Sequence, residues 1–326
     1  MAATNAKPFQ SQVDTRAPAK GRATNPESTF SLQAVDQYMI AAVSDMGATP
    51  AQEAALYHLH TGGHRMRSRL ALASGATRLN NTDSIAAAAA CELLHNASLV
   101  HDDITDGDLY RRGSLTVRSR SGTGVALCTG DLLMTAAFNA ATDLSDAAAS
   151  QRLVRTMART ASRVIGGQSI ELADDAIGQV PNRRDYLVAT RAKTAPLIEL
   201  PLSVGLADAP SDGFNPRVCR EIAEAIGLAY QILDDLDDLR QDTSESPAPA
   251  LHALHAWWHH QRPGAGAEPL VVQQRCLAHV RAALSRADRL ARALPEPLMG
   301  CVAGLIESLE RKAERKPVAL DGATRR

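Results

Sequence analysis

The chain has 326 residues, of which 45% are hydrophobic but only 3% aromatic, and its formal charge is −1. That length suits one large helical domain or two ordinary ones. With no basic patch or stripe, the sequence lacks the counterion-releasing footprint of a nucleic-acid binder, which excludes that partner class.

Residues 1–28 mix Ala, Pro, Ser, Thr and charges without a period and are expected to form a flexible tail. Asp14 and Glu27 argue against a transit peptide. From Thr29 onward apolar residues recur at three and four, with breaks at HTGGH, SDGFNP and QRPGAGAEP. The expectation is therefore an all-α chain with one domain over residues 29–326. No run approaches the ~18 consecutive apolar residues of a membrane span, and the N-terminus has no signal-peptide core, so the cytoplasm is the expected location. The five cysteines, Cys91, Cys128, Cys219, Cys276 and Cys301, show no paired spacing and read as small buried hydrophobes in a reducing compartment.

In chain order, Gly62 to Arg67 make a glycine turn leading into a basic helix start, where free N–H groups and Arg side chains both favour anions. SIAAAAACELLHNASLVHDDITD is apolar on nearly every side until it ends in Asp102, Asp103 and Asp106, the pattern of a helix buried in a bundle. Arg111 and Arg112 follow, closed by Gly113; Lys193 and Thr194 precede Pro196, near a helix start. REIAEAIGLAYQILDDLDDL repeats the design with Asp234, Asp235 and Asp238. RQDTSESPAPA is weakly ordered, and after it His252, His255 and His259 share a helix face, a solvated face rather than a metal site because no carboxylate or cysteine joins them.

Each DDxxD crowds three carboxylates onto one helix end, where two charges ~5 Å apart cost on the order of 3 kcal/mol at an effective dielectric near 20. Something cationic must offset them. Carboxylate oxygens that leave room for water suit Mg²⁺, which bridges acids to substrate phosphates. A solvent-facing acidic helix end is the plain alternative for one such triad, but two triads on strongly apolar helices point to a diphosphate held between them.

With these motifs the sequence resembles the trans-isoprenyl diphosphate synthase family, also called polyprenyl synthetases. ELLHNASLVHDDITDGDLYRRG is similar to the family's first aspartate-rich motif and GLAYQILDDLDD to its second, with GGQSIEL and KTAPLIELPLSVG between them in the family's order. The resemblance implies one domain of long antiparallel helices around a central cavity, the isoprenoid synthase fold, and a homodimer. It implies condensation of isopentenyl diphosphate with dimethylallyl, geranyl or farnesyl diphosphate, using three Mg²⁺ ions. Asp102, Asp103 and Asp106 would flank the metals on one side and Asp234, Asp235 and, more weakly, Asp238 on the other. Arg111, Lys193, Thr194 and Gln231 would hold the allylic diphosphate; His64, Arg67, His95 and Arg112 would hold isopentenyl diphosphate; and Gln168 would lie near the reacting carbons.

Several positions depart from the family's pattern. His64 stands where its GGKRxRP motif has lysine, Ser68 where it has proline, and Glu171 where its GQxxD stretch has aspartate; the loop after Asp238 lacks the usual lysines. A class I terpene cyclase and a catalytically silent partner subunit are the rival readings. Retention of Arg67, His95 and Arg112 weighs against the first, and of both triads against the second. Members of the family that stop at fifteen carbons place an aromatic ring four or five residues before the first triad, where this chain has Ser98 and Ala97. The expected product is therefore the twenty-carbon geranylgeranyl diphosphate, with Leu94 closing the cavity further down.

Overall fold

The computed structural model describes residues 26–177, 183–206, 215–241 and 269–316. Twelve helices lie among the described residues. They are α1 (Pro26–Ser44), α2 (Pro50–His60), α3 (Met66–Gly75), α4 (Asn81–Thr105), α5 (Val117–Ser121), α6 (Thr123–Thr142), α7 (Ala147–Ile177), α8 (Arg183–Lys193), α9 (Pro196–Ser203), α10 (Arg217–Gln241), α11 (Pro269–Ala291) and α12 (Leu298–Glu314). The all-α expectation is met with one small exception. Tyr110–Arg111 and Ser114–Leu115 pair as a two-residue antiparallel ladder, Tyr110 opposite Leu115. Its two turn residues, Arg112 and Gly113, have φ of 53° and 76°, the left-handed pair that a tight hairpin requires.

Local chemistry sets the helix starts. Asn80 caps α4 by accepting from the Asp83 N–H at 2.8 Å, and Thr49 caps α2 the same way with Gln52, ahead of Pro50 in the first turn. The alanine run Ala86–Ala90 gives α4 strong helix propensity, and its small side chains let neighbours approach from all sides; all five are buried.

The core divides into two clusters. One joins α10, α11 and α12; the other joins α1, α2, α4 and α6. The helices α3 and α9 stitch them together: Leu70 and Ile198 belong to the first, Ala71 and Leu197 to the second. The first acidic triad therefore rides on one cluster and the second on the other, with α3 and α9 contributing to both clusters.

By length and composition α6 is apolar enough to cross a membrane, a feature hidden in sequence because polar residues interrupt its apolar runs. In the fold it packs against α4, with Thr129, Gly130, Leu133, Ala136, Ala137 and Ala140 buried. Cys91, Cys219 and Cys276 are buried, but Cys128 is exposed on α6, correcting the expectation that all five are buried. The first 25 residues, the histidine face from His252 to His259 and the lysine-free loop lie outside the described residues.

Candidate active site

The first triad sits at the carboxyl end of α4, Asp106 being its C-cap, with its N–H bonded to the Asp102 carbonyl at 2.8 Å. Negative charge is disfavoured there by the helix dipole as well as by mutual repulsion. Burial raises the pKa of both Asp102 and Asp103, opposed by Lys193 in the first case and Arg111 in the second. Lys193 Nζ stands 3.8 Å from Asp102 Oδ1, and Arg111 Nε donates to Asp103 Oδ1 at 2.6 Å. The other oxygen of fully buried Asp103, Oδ2, has no hydrogen-bond partner among the described residues. Among the described residues no three such side chains are grouped closely enough to hold a metal ion by themselves, but the orphaned buried oxygen of Asp103 is short of a positive partner, and a carboxylate oxygen is the donor type that Mg²⁺ takes.

The second triad is braced from behind. Asp235 accepts from Gln231 Nε2 at 2.9 Å and from the Tyr186 hydroxyl at 2.8 Å. Gln231 in turn accepts from Thr194 Oγ1 at 3.2 Å, so α8, the link that follows it and α10 fix one carboxylate together. Asp234 pairs with Lys312 of α12 at 2.8 Å. The side chains of Asp238 and Glu171 lie outside the described residues.

A third group forms under the glycine turn. Gly62 and Gly63 have φ of 77° and 146°. A Cβ on Gly63 would lie 2.8 Å from Arg112 Cζ, so only glycine lets that guanidinium lie across the turn, where Arg112 Nη1 donates to the Gly62 carbonyl. Burial, reinforced by Arg67, Arg112 and Arg111, holds His95 neutral, well below the usual histidine range. Arg67 Nε and His95 Nδ1 are buried without hydrogen-bond partners among the described residues. Two arginines around a neutral histidine, with buried nitrogens left unpartnered, are a set of groups that could hold an anion. His64, in the same turn, is exposed.

Beside the first triad lies an open-sided, mainly apolar cavity of about 250 Å³, with Asp102, Leu94, Ser98, Met134, Val164 and the exposed Leu172 among its walls. Gln168 is also a wall residue; its Nε2 donates to Thr105 Oγ1 at 3.4 Å while Oε1 is buried and unpartnered among the described residues. At Gly167 a Cβ would come within 2.8 Å of Ala192 Cβ, so the absent side chain lets α7 press on α8 just before Lys193. Ala97 is fully buried in the core cluster and is not among the residues lining this cavity.

Sequence reasoning missed Tyr186, Glu92 and Lys312. Tyr186 and Lys312 reach the second triad from other helices, and Glu92, on the same helix as the first triad but not at a diagnostic spacing from it, acts on Ser68 of α3.

A family model described as "Polyprenyl synthetase" matches residues 49–250. The chain is 32% identical over 192 residues to a short chain isoprenyl diphosphate synthase of Methanocaldococcus jannaschii, covering 59% of this chain and 58% of that protein. It is 32% identical over 211 residues to a geranylgeranyl diphosphate synthase of Sulfolobus acidocaldarius, covering 63% of each. The aligned segment thus spans less than two thirds of either relative. Among solved structures, geranylgeranyl pyrophosphate synthetase from Pyrococcus horikoshii superposes with a TM-score of 0.74 at 22% identity, covering 89% of this chain and 97% of that one, a likeness of fold.

Proposed function

The chain belongs to the polyprenyl synthetase family, and we propose that it is a prenyltransferase joining isopentenyl diphosphate to an allylic diphosphate, with geranylgeranyl diphosphate as product and diphosphate released. The observation that carries this reading is the placement of two carboxylate triads on separate core clusters, with cationic side chains around them and a mainly apolar cavity beside Asp102. A single acidic patch on a surface would have neither the second triad nor the cavity.

Asp102, Asp103 and Asp106 on one side and Asp234, Asp235 and Asp238 on the other would hold Mg²⁺, three ions in the arrangement the family resemblance implies. The ions supply electrostatic stabilisation of charge developing on the leaving diphosphate. Arg111, Lys193, Thr194 and Gln231 orient the allylic diphosphate, and Arg67, His95 and Arg112, with His64, bind isopentenyl diphosphate. The apolar walls around Leu94 and Met134 take the allylic chain and keep water from the cation formed when its carbon–oxygen bond breaks. Gln168, at the cavity wall, positions the reacting ends. The same resemblance carries a homodimer into this reading, and one domain over residues 29–326 and a cytoplasmic location are carried over from the sequence itself.

The test is product analysis after incubating purified protein with Mg²⁺, isopentenyl diphosphate and dimethylallyl, geranyl or farnesyl diphosphate in turn. Elongation to twenty carbons is expected. Conversion of a primer alone to a cyclic hydrocarbon with no elongation makes the protein a cyclase, and no product from any mixture makes it a silent subunit.

A further inference from the structure

Lys312 of the C-terminal helix stands in an unexpected place. Its Nζ lies 2.8 Å from Asp234 Oδ1 and 3.0 Å from Asp237 Oδ2, and 5.6 Å from the centre of the Tyr230 ring. One ammonium thus bridges two carboxylates of the second acidic cluster, including one that the proposed function assigns to the metal. The neighbouring Lys316 is different in kind. Its side chain is 4% exposed against 35% for Lys312. Lys316 is also tied to the Leu233 carbonyl at 3.2 Å and to Asp237. Lys316 is fixed structure, whereas Lys312 is held only by acids and an aromatic face, on a flexible four-carbon stem.

We propose, resting on the prenyltransferase reading, that Lys312 is a tethered counter-cation. It neutralises Asp234 while the site is empty and transfers to the substrate diphosphate when metal arrives. A divalent ion on Asp234 would stand within a few ångströms of the ammonium, so the two cannot share that oxygen. An ion taking Asp234 Oδ1 would release Lys312, and the released ammonium would need an anion within reach. The diphosphate that accompanies the metal is that anion. Lys312 opposes metal binding without diphosphate and favours it with diphosphate, so it couples the two events. It also supplies from the C-terminal helix a lysine that the loop after Asp238 lacks. Packing explains how it gets there: α12 lies against α3, which carries Arg67, and against α10, which carries Asp234.

The experiment compares wild type with Lys312→Met, using Mn²⁺ binding followed by electron paramagnetic resonance with and without inorganic diphosphate, and calorimetric titration of diphosphate in Mg²⁺. In the variant, Mn²⁺ binds the substrate-free protein several-fold more tightly, because the competing cation is gone. Diphosphate binds about tenfold or more weakly, the loss expected of one charge-assisted contact, and Lys312→Arg restores much of it. Unchanged or weaker Mn²⁺ binding in the substrate-free variant overturns the inference, and so does unchanged diphosphate affinity. Should the methionine variant not fold, Lys312→Gln is read by the same criteria. If wild type itself shows no Mg²⁺-dependent diphosphate binding, the reading of the whole site falls; if wild type binds it and the variants match wild type, only the role of Lys312 does.

Discussion

Ser68 places both of its donors on one buried oxygen of Glu92: its N–H reaches Oε2 at 2.9 Å and its hydroxyl at 2.8 Å. The N–H belongs to the first turn of α3, whose donors have no partner within the helix, so Glu92 of α4 acts as a cap supplied from outside. Arg67 precedes Ser68, and His95 lies one turn beyond Glu92, so this contact sets the spacing of the proposed anion pocket. A proline at position 68, as in the family motif, would remove both bonds and leave the carboxylate with Arg65 Nη1 at 3.8 Å. Ser68→Ala should cost about 1 kcal/mol and Ser68→Pro about 2–4 kcal/mol of stability, measured by urea unfolding. Both should raise the KM for isopentenyl diphosphate more than they lower turnover. A proline variant as stable as wild type would show that Glu92 finds other partners.

The features legible in the sequence were those written locally. Apolar helices ending in acids, the glycine turn before Arg65 and the break at Pro196 all depend on residues within a few positions of each other. The contacts that complete the site join residues far apart in the chain: Tyr186 to Asp235, Ser68 to Glu92 and Lys312 to Asp234. No spacing rule reaches them, because packing of separate helices creates them. Ala97 and Ser98 illustrate a second limit. They are neighbours about 100° apart on α4, and a helix apolar on nearly every side gives no phase from which to tell the cavity face from the core face.

Both outer members of the proposed metal set should be catalytic without being structural. Asp102→Ala and Asp234→Ala are each expected to lower turnover at least ~10²-fold, as when one element of electrostatic stabilisation is lost, with melting temperatures close to wild type because both side chains are partly exposed. Asp103 differs. It is fully buried and accepts from Arg111 at 2.6 Å, so Asp103→Ala should lose stability as well as turnover, while Asp103→Asn loses mainly turnover. Parallel thermal melts and steady-state rates separate these cases; near-normal turnover in a folded Asp102 or Asp234 variant rejects the two-triad site.

Acid should weaken the fold through His58. Burial, with Arg112, Arg111 and Arg65 nearby, pushes its pKa down to about 3, although its hydrogen bond to Asn96 acts the other way. In the unfolded chain it titrates near 6.5. Below that value the unfolded chain binds a proton that the folded chain refuses, so stability falls as pH drops, by ~1.4 kcal/mol per pH unit for one such group. His95 acts in the same direction. Between about pH 6.5 and 5, before carboxylates dominate, His58→Gln should flatten the dependence of unfolding free energy on pH by about one proton. Parallel curves for the two proteins would place the linked proton elsewhere.

Product length should be set on the cavity face of α4. Leu94, Ser98, His101 and Asp102 line the cavity together, and at 1.5 Å per residue Ser98 and Leu94 lie roughly 6 and 12 Å below Asp102. Neither carries an aromatic ring, and Met134 and Val164 also line the cavity, so a chain growing from the triad passes Ser98 before meeting Leu94. Ser98→Tyr projects a ring into this space and should shift the hydrolysed product from twenty carbons to fifteen. Ala97→Phe is the control that the fold supplies. Its ring enters the core behind α4, where overpacking costs ~1 to 3 kcal/mol, so it should lower the melting temperature and leave product length unchanged. The two neighbouring substitutions thus separate cavity depth from helix stability. A Ser98→Tyr product profile identical to wild type, or wild-type products of thirty or more carbons, would mean that the floor is built by helices other than α4.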